Sequence, residues 1–265
     1  MIGIIGGSGI YDPTLIENVV KMDVATPYGT VTLSKGSYSQ RDVFFLPRHG
    51  ESHSVPPHLI NYRANIWALK EVGVSRILAT SASGSLNSSI PPGSFVILSN
   101  FLDFTKNRPN TFYDGGDSLV EEKDVVHIDV TEPYCPELRK VMYEAGLKEN
   151  LPMLDHGVYV CTEGPRFESS AEIKMFSRLG GDIVGMTNLP EVVLARELEM
   201  CYASISMVTN YAAGISDKRL THTEVLDIMS KNHEDIKKIL KTAIPLIPAE
   251  RNCDCATLLS GAKAD

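Results

Sequence analysis

Three short stretches of this chain place anion-binding groups directly after apolar runs. The first is Gly6-Gly7-Ser8-Gly9, which follows the Ile-rich residues 1–5. Glycines that take positive φ turn successive backbone N–H groups inward, and the Ser8 hydroxyl adds a donor, so the turn has the composition of a phosphate cradle. The second is Pro47-Arg48-His49-Gly50, after the apolar residues 42–46. A guanidinium grips phosphate through two parallel hydrogen bonds, and the adjacent imidazole offers another donor. The third is Ser81-Ala82-Ser83-Gly84-Ser85, read as a small-residue loop after the apolar run 75–80. Ligands of α/β proteins gather at the carboxyl ends of strands, so three such stretches point to one site rather than three idle turns. In the first of them Tyr11-Asp12-Pro13 follows Gly9, where a dinucleotide fingerprint would be opening a helix. That favours a single phosphate- or sulfate-sized anion over NAD.

The elements that must position these groups are legible from periodicity. Residues 19–24, 31–34, 42–46, 75–80, 94–98 and 157–161 read as strands, and 56–70, 137–145 and 171–179 as helices. Ile60, Ala64, Trp67 and Ala68 share one face at helical spacing, which makes Trp67 a core residue rather than a cofactor stack. The polar, aromatic-containing stretch 107–124 reads as a long loop, of the kind that serves as a lid or an oligomer contact. With 265 residues, 43% hydrophobic and 22% charged, the chain suits one large domain over 1–265, ending in a polar, cysteine-containing tail over about 250–265. A net charge of -8 and the lack of a lysine-arginine run argue against a nucleic-acid partner. No charged leader precedes the first apolar residues and no apolar run reaches membrane-span length, so a cytoplasmic protein with no membrane partner is expected. Five cysteines are odd in number and too sparse for a secreted disulfide scaffold, although Cys253-Asp254-Cys255 is an unusual pair.

Function is decided by Thr162-Glu163-Gly164-Pro165-Arg166-Phe167-Glu168, by Val184-Gly185-Met186-Thr187-Asn188-Leu189-Pro190-Glu191 and by Val208-Thr209-Asn210-Tyr211-Ala212-Ala213-Gly214. Together with the glycine turn, Pro47-Arg48-His49-Gly50 and Asn61-Tyr62-Arg63-Ala64-Asn65-Ile66-Trp67-Ala68-Leu69, these stretches resemble the trimeric purine nucleoside phosphorylases, closest to the methylthioadenosine phosphorylase branch. The resemblance covers nearly the whole chain. It implies an α/β fold with a mixed β-sheet distorted toward a barrel and flanked by helices. It also implies reversible phosphorolysis of an N-ribosidic bond with phosphate as co-substrate, no organic cofactor and no metal.

Such a reaction passes through an oxocarbenium-like sugar, so the protein must hold an anionic nucleophile below the ring and stabilise charge on the departing base. By resemblance, Ser8, Arg48, His49, Ser81, the Ala82 backbone N–H and Thr187 bind phosphate. Met186 lies beneath the ribose, where a polarizable thioether suits the sugar, and Phe167 packs on the purine. Tyr211 and Ala212 flank the base, and Arg48, His49 and Asn210 carry the catalysis.

Departures from the methylthioadenosine pattern at three residues bear on selectivity. Asn210 stands where those enzymes have aspartate, and Glu168 where they have serine or threonine. An amide can donate to O6 and N7 of a 6-oxopurine, and a carboxylate can accept from N1–H, whereas adenine would leave Glu168 facing a lone pair. Buried unpaired polar groups cost on the order of several kcal/mol, which corresponds to discrimination of roughly hundreds-fold. His222 falls where methylthio-specific enzymes carry an apolar residue, and its imidazole can meet a 5′-hydroxyl. The expectation is a phosphorylase of inosine and guanosine. The alternatives are S-methyl-5′-thioinosine or S-methyl-5′-thioadenosine as substrate, or an inactive nucleoside-binding regulator. The resemblance further implies a homotrimer or dimer of trimers in which His127 closes the neighbouring subunit's pocket. It implies two disulfides as well, Cys135–Cys201 and Cys253–Cys255, with Cys161 a free core thiol.

Overall fold

A computed structural model describes residues 1–7, 13–50, 52, 54–115, 125–216 and 222–262. The strands in chain order are β1 (Ile2–Gly6), β2 (Glu17–Thr26), β3 (Gly29–Tyr38), β4 (Arg41–Pro47), β5 (Arg76–Ser85), β6 (Phe95–Ile97), β7 (Asn100–Phe104), β8 (Met153–Leu154), β9 (Val158–Thr162), β10 (Ile183–Gly185) and β11 (Cys201–Tyr211). The helices are α1 (Tyr62–Glu71), α2 (Pro136–Lys148), α3 (Ser170–Arg178), α4 (Glu191–Glu197) and α5 (His222–Leu246). Among the described residues the strands form one mixed sheet in the order β2-β3-β4-β1-β5-β10-β9-β7, and it branches at β5, where β11 pairs as well and leads on to β6 and β8.

The apolar runs of β1, β4 and β5 are runs because both sheet faces are covered there. Successive side chains point to opposite faces, and they enter different cores. Val43 and Phe45 of β4, Ile2 and Ile4 of β1, and Leu78 of β5 pack with α2 and α5. Phe44, Leu46, Ile5, Ile77 and Ala79 pack with α1 and α4 on the other face.

The branch at β5 creates the feature on which the site depends. On one edge β5 is paired by β1 from Arg76 to Ala79 and then by β10 at Gly84 and Ser85. Among the described residues, 80–83 between these partners have no strand beside them on that edge, while β11 covers the opposite edge throughout. The stretch 81–85, expected as a loop, is therefore the end of a long strand. Its small residues had suggested a turn; they are small because backbones and side chains approach closely here. Ser81, Ser83 and Ser206 of β11 form a buried hydroxyl ladder with Oγ–Oγ distances of 3.0 and 2.9 Å.

Three further expectations are refined. The helix expected from 56 is a short 3-10 turn over Pro57–Leu59, followed by α1. The Asn61 side chain caps α1 by accepting from the Ala64 N–H at 3.1 Å and donates to the Tyr28 carbonyl at 2.7 Å. The part of 107–124 within the described residues is no lid, because Phe112 is fully buried and stacks against Tyr28 and Trp67 at 5.5 Å. Trp67 thus sits at a core edge, as expected. All five cysteines are free, so neither Cys135–Cys201 nor Cys253–Cys255 is bonded. The chain brings these four sulfurs to one place instead of sorting them into pairs.

Candidate functional site

The unpaired edge of β5 is lined from three sides. The Gly7 N–H donates to the Thr80 hydroxyl at 3.0 Å, and one Arg48 Nη donates to the Thr80 carbonyl at 2.7 Å. A side chain on Gly7 could not fit, since its Cβ would lie 2.3 Å from the Thr80 carbonyl oxygen and 2.5 Å from Arg48 Nη1. A regular strand presents N–H and C=O groups to alternate edges, so Ala82, two residues beyond Thr80, directs its N–H to the edge where Arg48 lies. The Ser81 hydroxyl accepts from Asn188 Nδ2 at 3.3 Å and donates to the Ser206 hydroxyl at 3.0 Å.

Arg48 is held by a partner that the sequence did not reveal. Its Nε and Nη2 each donate to Glu191 at 2.7 Å in a bidentate pair, and both side chains are wholly buried. Burial alone would lower the guanidinium pKa, but the adjacent Glu191 carboxylate more than reverses this and holds it raised. The Tyr202 hydroxyl donates to the same carboxylate at 2.6 Å. Burial, aided by Glu191, keeps the Tyr202 phenol pKa far above its usual value, so the phenol remains a donor. Of the five N–H groups on a guanidinium, three are used on these protein partners, and one hydrogen on each Nη remains for an anion.

His49 is buried, and its Nδ1 lies 2.9 Å from the Val55 carbonyl. A carbonyl only accepts, so Nδ1 carries the proton, and Nε2 of the neutral ring is an acceptor. With Nδ1 donating to Val55, donation from Nε2 to an anion requires the imidazolium form. Thr187 is buried as well. Its N–H donates to the Tyr159 hydroxyl at 3.3 Å, and its carbonyl accepts from the Cys161 thiol at 3.0 Å. Burial pushes that thiol's pKa up to about 12, so Cys161 remains a protonated core thiol.

The opposite wall is built by β9, β10 and the end of β11. Glu168, half-buried, accepts from the Thr162 hydroxyl at 2.7 Å. Burial raises its pKa, while the Thr162 bond opposes the shift. Phe167 beside it is 50% exposed, an open aromatic face just before the Ser169–Glu172 capping box of α3. Asn210 follows a bulge in the β11 register, where Val208 opposes Ser83 and Asn210 opposes Gly84. Bulges re-aim side chains next to functional sites. The Asn210 Oδ1 accepts from the Thr209 hydroxyl at 2.7 Å and its Nδ2 donates to the Tyr211 carbonyl at 2.9 Å, which leaves one amide hydrogen for a ligand. Tyr211 is half-buried, and Ala212 is anchored by its N–H to the Ser85 carbonyl at 2.9 Å.

Arg108, inside the stretch read only as a loop, fastens these walls together. One Nη donates to the Leu189 carbonyl at 2.6 Å. The other reaches the carbonyls of Thr162, Glu163 and Met186 at 3.1, 2.9 and 2.9 Å. Half-buried Met186 therefore has its carbonyl engaged by Arg108, and its Sδ would lie 2.7 Å from a Cβ at Gly164. No pattern in the sequence pairs Arg108 with loops so far along the chain. Ser8 lies outside the described residues. His222 begins α5, but its side chain is likewise outside them. His127 is exposed and joins the described site through no contact; its N–H donates to the Ala262 carbonyl at 2.8 Å.

Glu191→Gln should therefore weaken anion binding as well as stability. With one acceptor lost, inorganic phosphate measured by titration calorimetry should bind at least about tenfold more weakly, or ~1.4 kcal/mol. Leaving a buried charge uncompensated should lower unfolding free energy in urea by about 3–5 kcal/mol. Unchanged phosphate affinity beside a lowered urea midpoint would confine Glu191 to a purely structural role.

The comparisons agree with this geometry. The family profile of the phosphorylase superfamily matches residues 1–245. The chain is similar to the 6-oxopurine nucleoside phosphorylase of Pyrococcus furiosus, 58% identical over 261 residues that cover 98% of each chain. It is also similar to a probable S-methyl-5′-thioinosine phosphorylase of Methanothermobacter thermautotrophicus, 52% identical over 264 residues, 99% of this chain and 90% of the relative. Methylthioadenosine phosphorylase from Schistosoma mansoni in complex with adenine matches with a TM-score of 0.93 at 37% identity, over 100% of this chain and 99% of that one. With a family match along most of its length and relatives of this identity over nearly all of it, the chain belongs to the phosphorylase superfamily.

Proposed function

We propose that the protein catalyses reversible phosphorolysis of 6-oxopurine ribonucleosides, inosine and guanosine, giving the free base and ribose 1-phosphate in purine salvage. Phosphate is the co-substrate, and the reaction uses no organic cofactor or metal. The observation that carries the reading is the pairing of an amide with a carboxylate. Asn210 keeps one N–H free beyond its two internal bonds, and Glu168 is a half-buried acceptor stabilised by a single hydroxyl. Phosphate would sit along the open edge of β5, meeting Arg48, the Ala82 N–H, Thr187 and Ser8. One of its oxygens forms the new bond to C1′ as the bond to the purine breaks. The electron pair passes to the base, where Asn210 meets N7 and O6 and Glu168 accepts from N1–H. Met186 and Phe167 would pack on ribose and purine, and His222 would meet the 5′-hydroxyl.

Turnover of inosine, S-methyl-5′-thioinosine and S-methyl-5′-thioadenosine tests the reading directly. Inosine should have the highest kcat/KM, and release of no free base from any of the three would turn the protein into a nucleoside-binding regulator. Asn210→Asp combined with Glu168→Ser should move preference toward 6-aminopurine nucleosides by about a hundredfold, since the carboxyl accepts from the 6-amino group and serine removes the mismatch at N1. Unchanged base selectivity in this double variant would refute the assignment.

The pH profile gives an independent check. Burial raises the Glu168 pKa and the Thr162 hydroxyl holds it partly down. Protonation removes the charge and turns one acceptor oxygen into a donor, which weakens the bond to N1–H, so activity falls as pH drops through that raised value. Thr162→Val removes the opposing bond, and the acid limb of kcat/KM for inosine should move to higher pH. A limb that stays in place would exclude Glu168 as the group it reports.

We further infer a cytoplasmic homotrimer or dimer of trimers, in which exposed His127 completes the site of the adjacent subunit. No helix among the described residues is long and apolar enough to cross a membrane. Activity at serial dilution, followed alongside mass by light scattering, should fall as the oligomer dissociates, and a fully active monomer would contradict the shared site.

A further inference from the structure

The structure assigns a second site to this chain, remote in chemistry from phosphorolysis: a tetrahedral four-thiolate centre for a zinc-class divalent cation, formed by Cys135, Cys201, Cys253 and Cys255. The four sulfurs lie within 4.8 Å of one another. Sγ of Cys253 is 3.7 Å from that of Cys135 and 3.5 Å from that of Cys201. Zinc–thiolate bonds of about 2.3 Å directed to the corners of a tetrahedron separate the sulfurs by roughly 3.8 Å. A disulfide would need about 2.05 Å. The observed spacings match the edge of a metal-centred tetrahedron and stand well outside bonding distance.

The ligands come from three segments that the fold brings together. Cys135 is the residue preceding α2, Cys201 opens β11, and Cys253 and Cys255 flank Asp254 in the C-terminal segment. The Cys135 N–H is tied to the Tyr202 carbonyl at 2.8 Å, which fixes the first two ligands relative to each other. Cys253 is extended and is followed by a 3-10 turn over Asp254–Ala256, and this change of direction lets both thiols of a Cys-x-Cys pair reach one point. Cys135 immediately precedes α2, where the positive end of the helix dipole suits an anionic ligand.

Accessibility suits a bound ion as well. Cys135, Cys201 and Cys255 are buried at 1%, 0% and 4%, while Cys253 is only partly so, which leaves an entry path at one vertex. The surroundings are the apolar cluster shared by α2, β11 and α5, and among the described residues no histidine or carboxylate joins the set. An all-sulfur donor set selects soft or borderline cations such as zinc over magnesium or calcium. Binding would release the remaining thiol protons and would pin the C-terminal segment to the junction of α2 and β11. The centre is closed and offers no open position, so its role is structural.

The test uses the full chain purified under reducing conditions without chelator. Elemental analysis should find about one zinc per chain, as expected of a closed structural site. After chelation, with all five thiols confirmed by titration, anaerobic addition of cobalt(II) should give the visible bands of tetrahedral cobalt and the near-ultraviolet thiolate charge transfer, both erased by equimolar zinc. Zinc should raise the Tm of the wild type. In C253S/C255S the cobalt spectrum and the zinc-dependent rise in Tm should vanish while the circular dichroism of the fold persists. Should that variant misfold, Cys253→Ser, at the most exposed vertex, should lower cobalt affinity at least about tenfold by removing one of four ligands. Failure of the folded, fully reduced wild type to take up cobalt would overturn the proposal. So would equal uptake by the variants, or metal-free protein whose four thiols are already joined as disulfides.

Discussion

The buried pair of Arg48 and Glu191 is the interaction on which the rest of the site depends. Desolvating two charges costs several kcal/mol per ion, and the cost is recovered only with near-ideal geometry and further hydrogen bonds. Here both conditions are met. The contact is bidentate at 2.7 Å on both arms, Tyr202 donates to the carboxylate, and the Thr80 carbonyl accepts from the guanidinium. Because these partners come from just past the end of β4, the middle of β5, the start of β11 and the start of α4, the pair holds four elements in register. It also leaves a charge-neutral platform. An arriving anion would meet two remaining N–H groups of Arg48 rather than a bare cation, so its charge must be met largely by neutral donors along the open edge of β5. Orientation follows from such an arrangement more than raw attraction does, which suits a site that must release phosphate as well as bind it.

How much of this could be read from the sequence depends on the range of the interactions. Strands β1, β4 and β5 were legible because burial makes them continuous apolar runs, and the Arg48 and Asn210 motifs stand out because they lie just past the end of β4 and near the end of β11. Misreading 81–85 as a loop has a physical cause. Ser, Ala and Gly look like turn residues, but in β5 they are small to admit the hydroxyl ladder with Ser206 of β11. Glu191 and Arg108 could not be assigned roles from local pattern. Glu191 meets Arg48 across 143 positions of sequence, and Arg108 meets Leu189 across 81. The cysteines are a third case: resemblance sorts them into pairs, whereas proximity in the fold joins all four.

Arg108 also separates two properties of the site. Its carbonyl partners at Thr162, Glu163, Met186 and Leu189 fix the loops after β9 and β10 with one rigid fork. Neither Glu168 nor Asn210 is bound to this fork. Glu168 is steadied by a single hydroxyl, and Asn210 by its immediate neighbours at the bulge. Side chains at these two rim positions can therefore be exchanged without unfastening Arg108 or the Arg48–Glu191 pair. A frame of this kind allows base selectivity to change while the phosphate chemistry stays fixed. That division accords with relatives of about half-identical sequence bearing names for different purine nucleoside substrates.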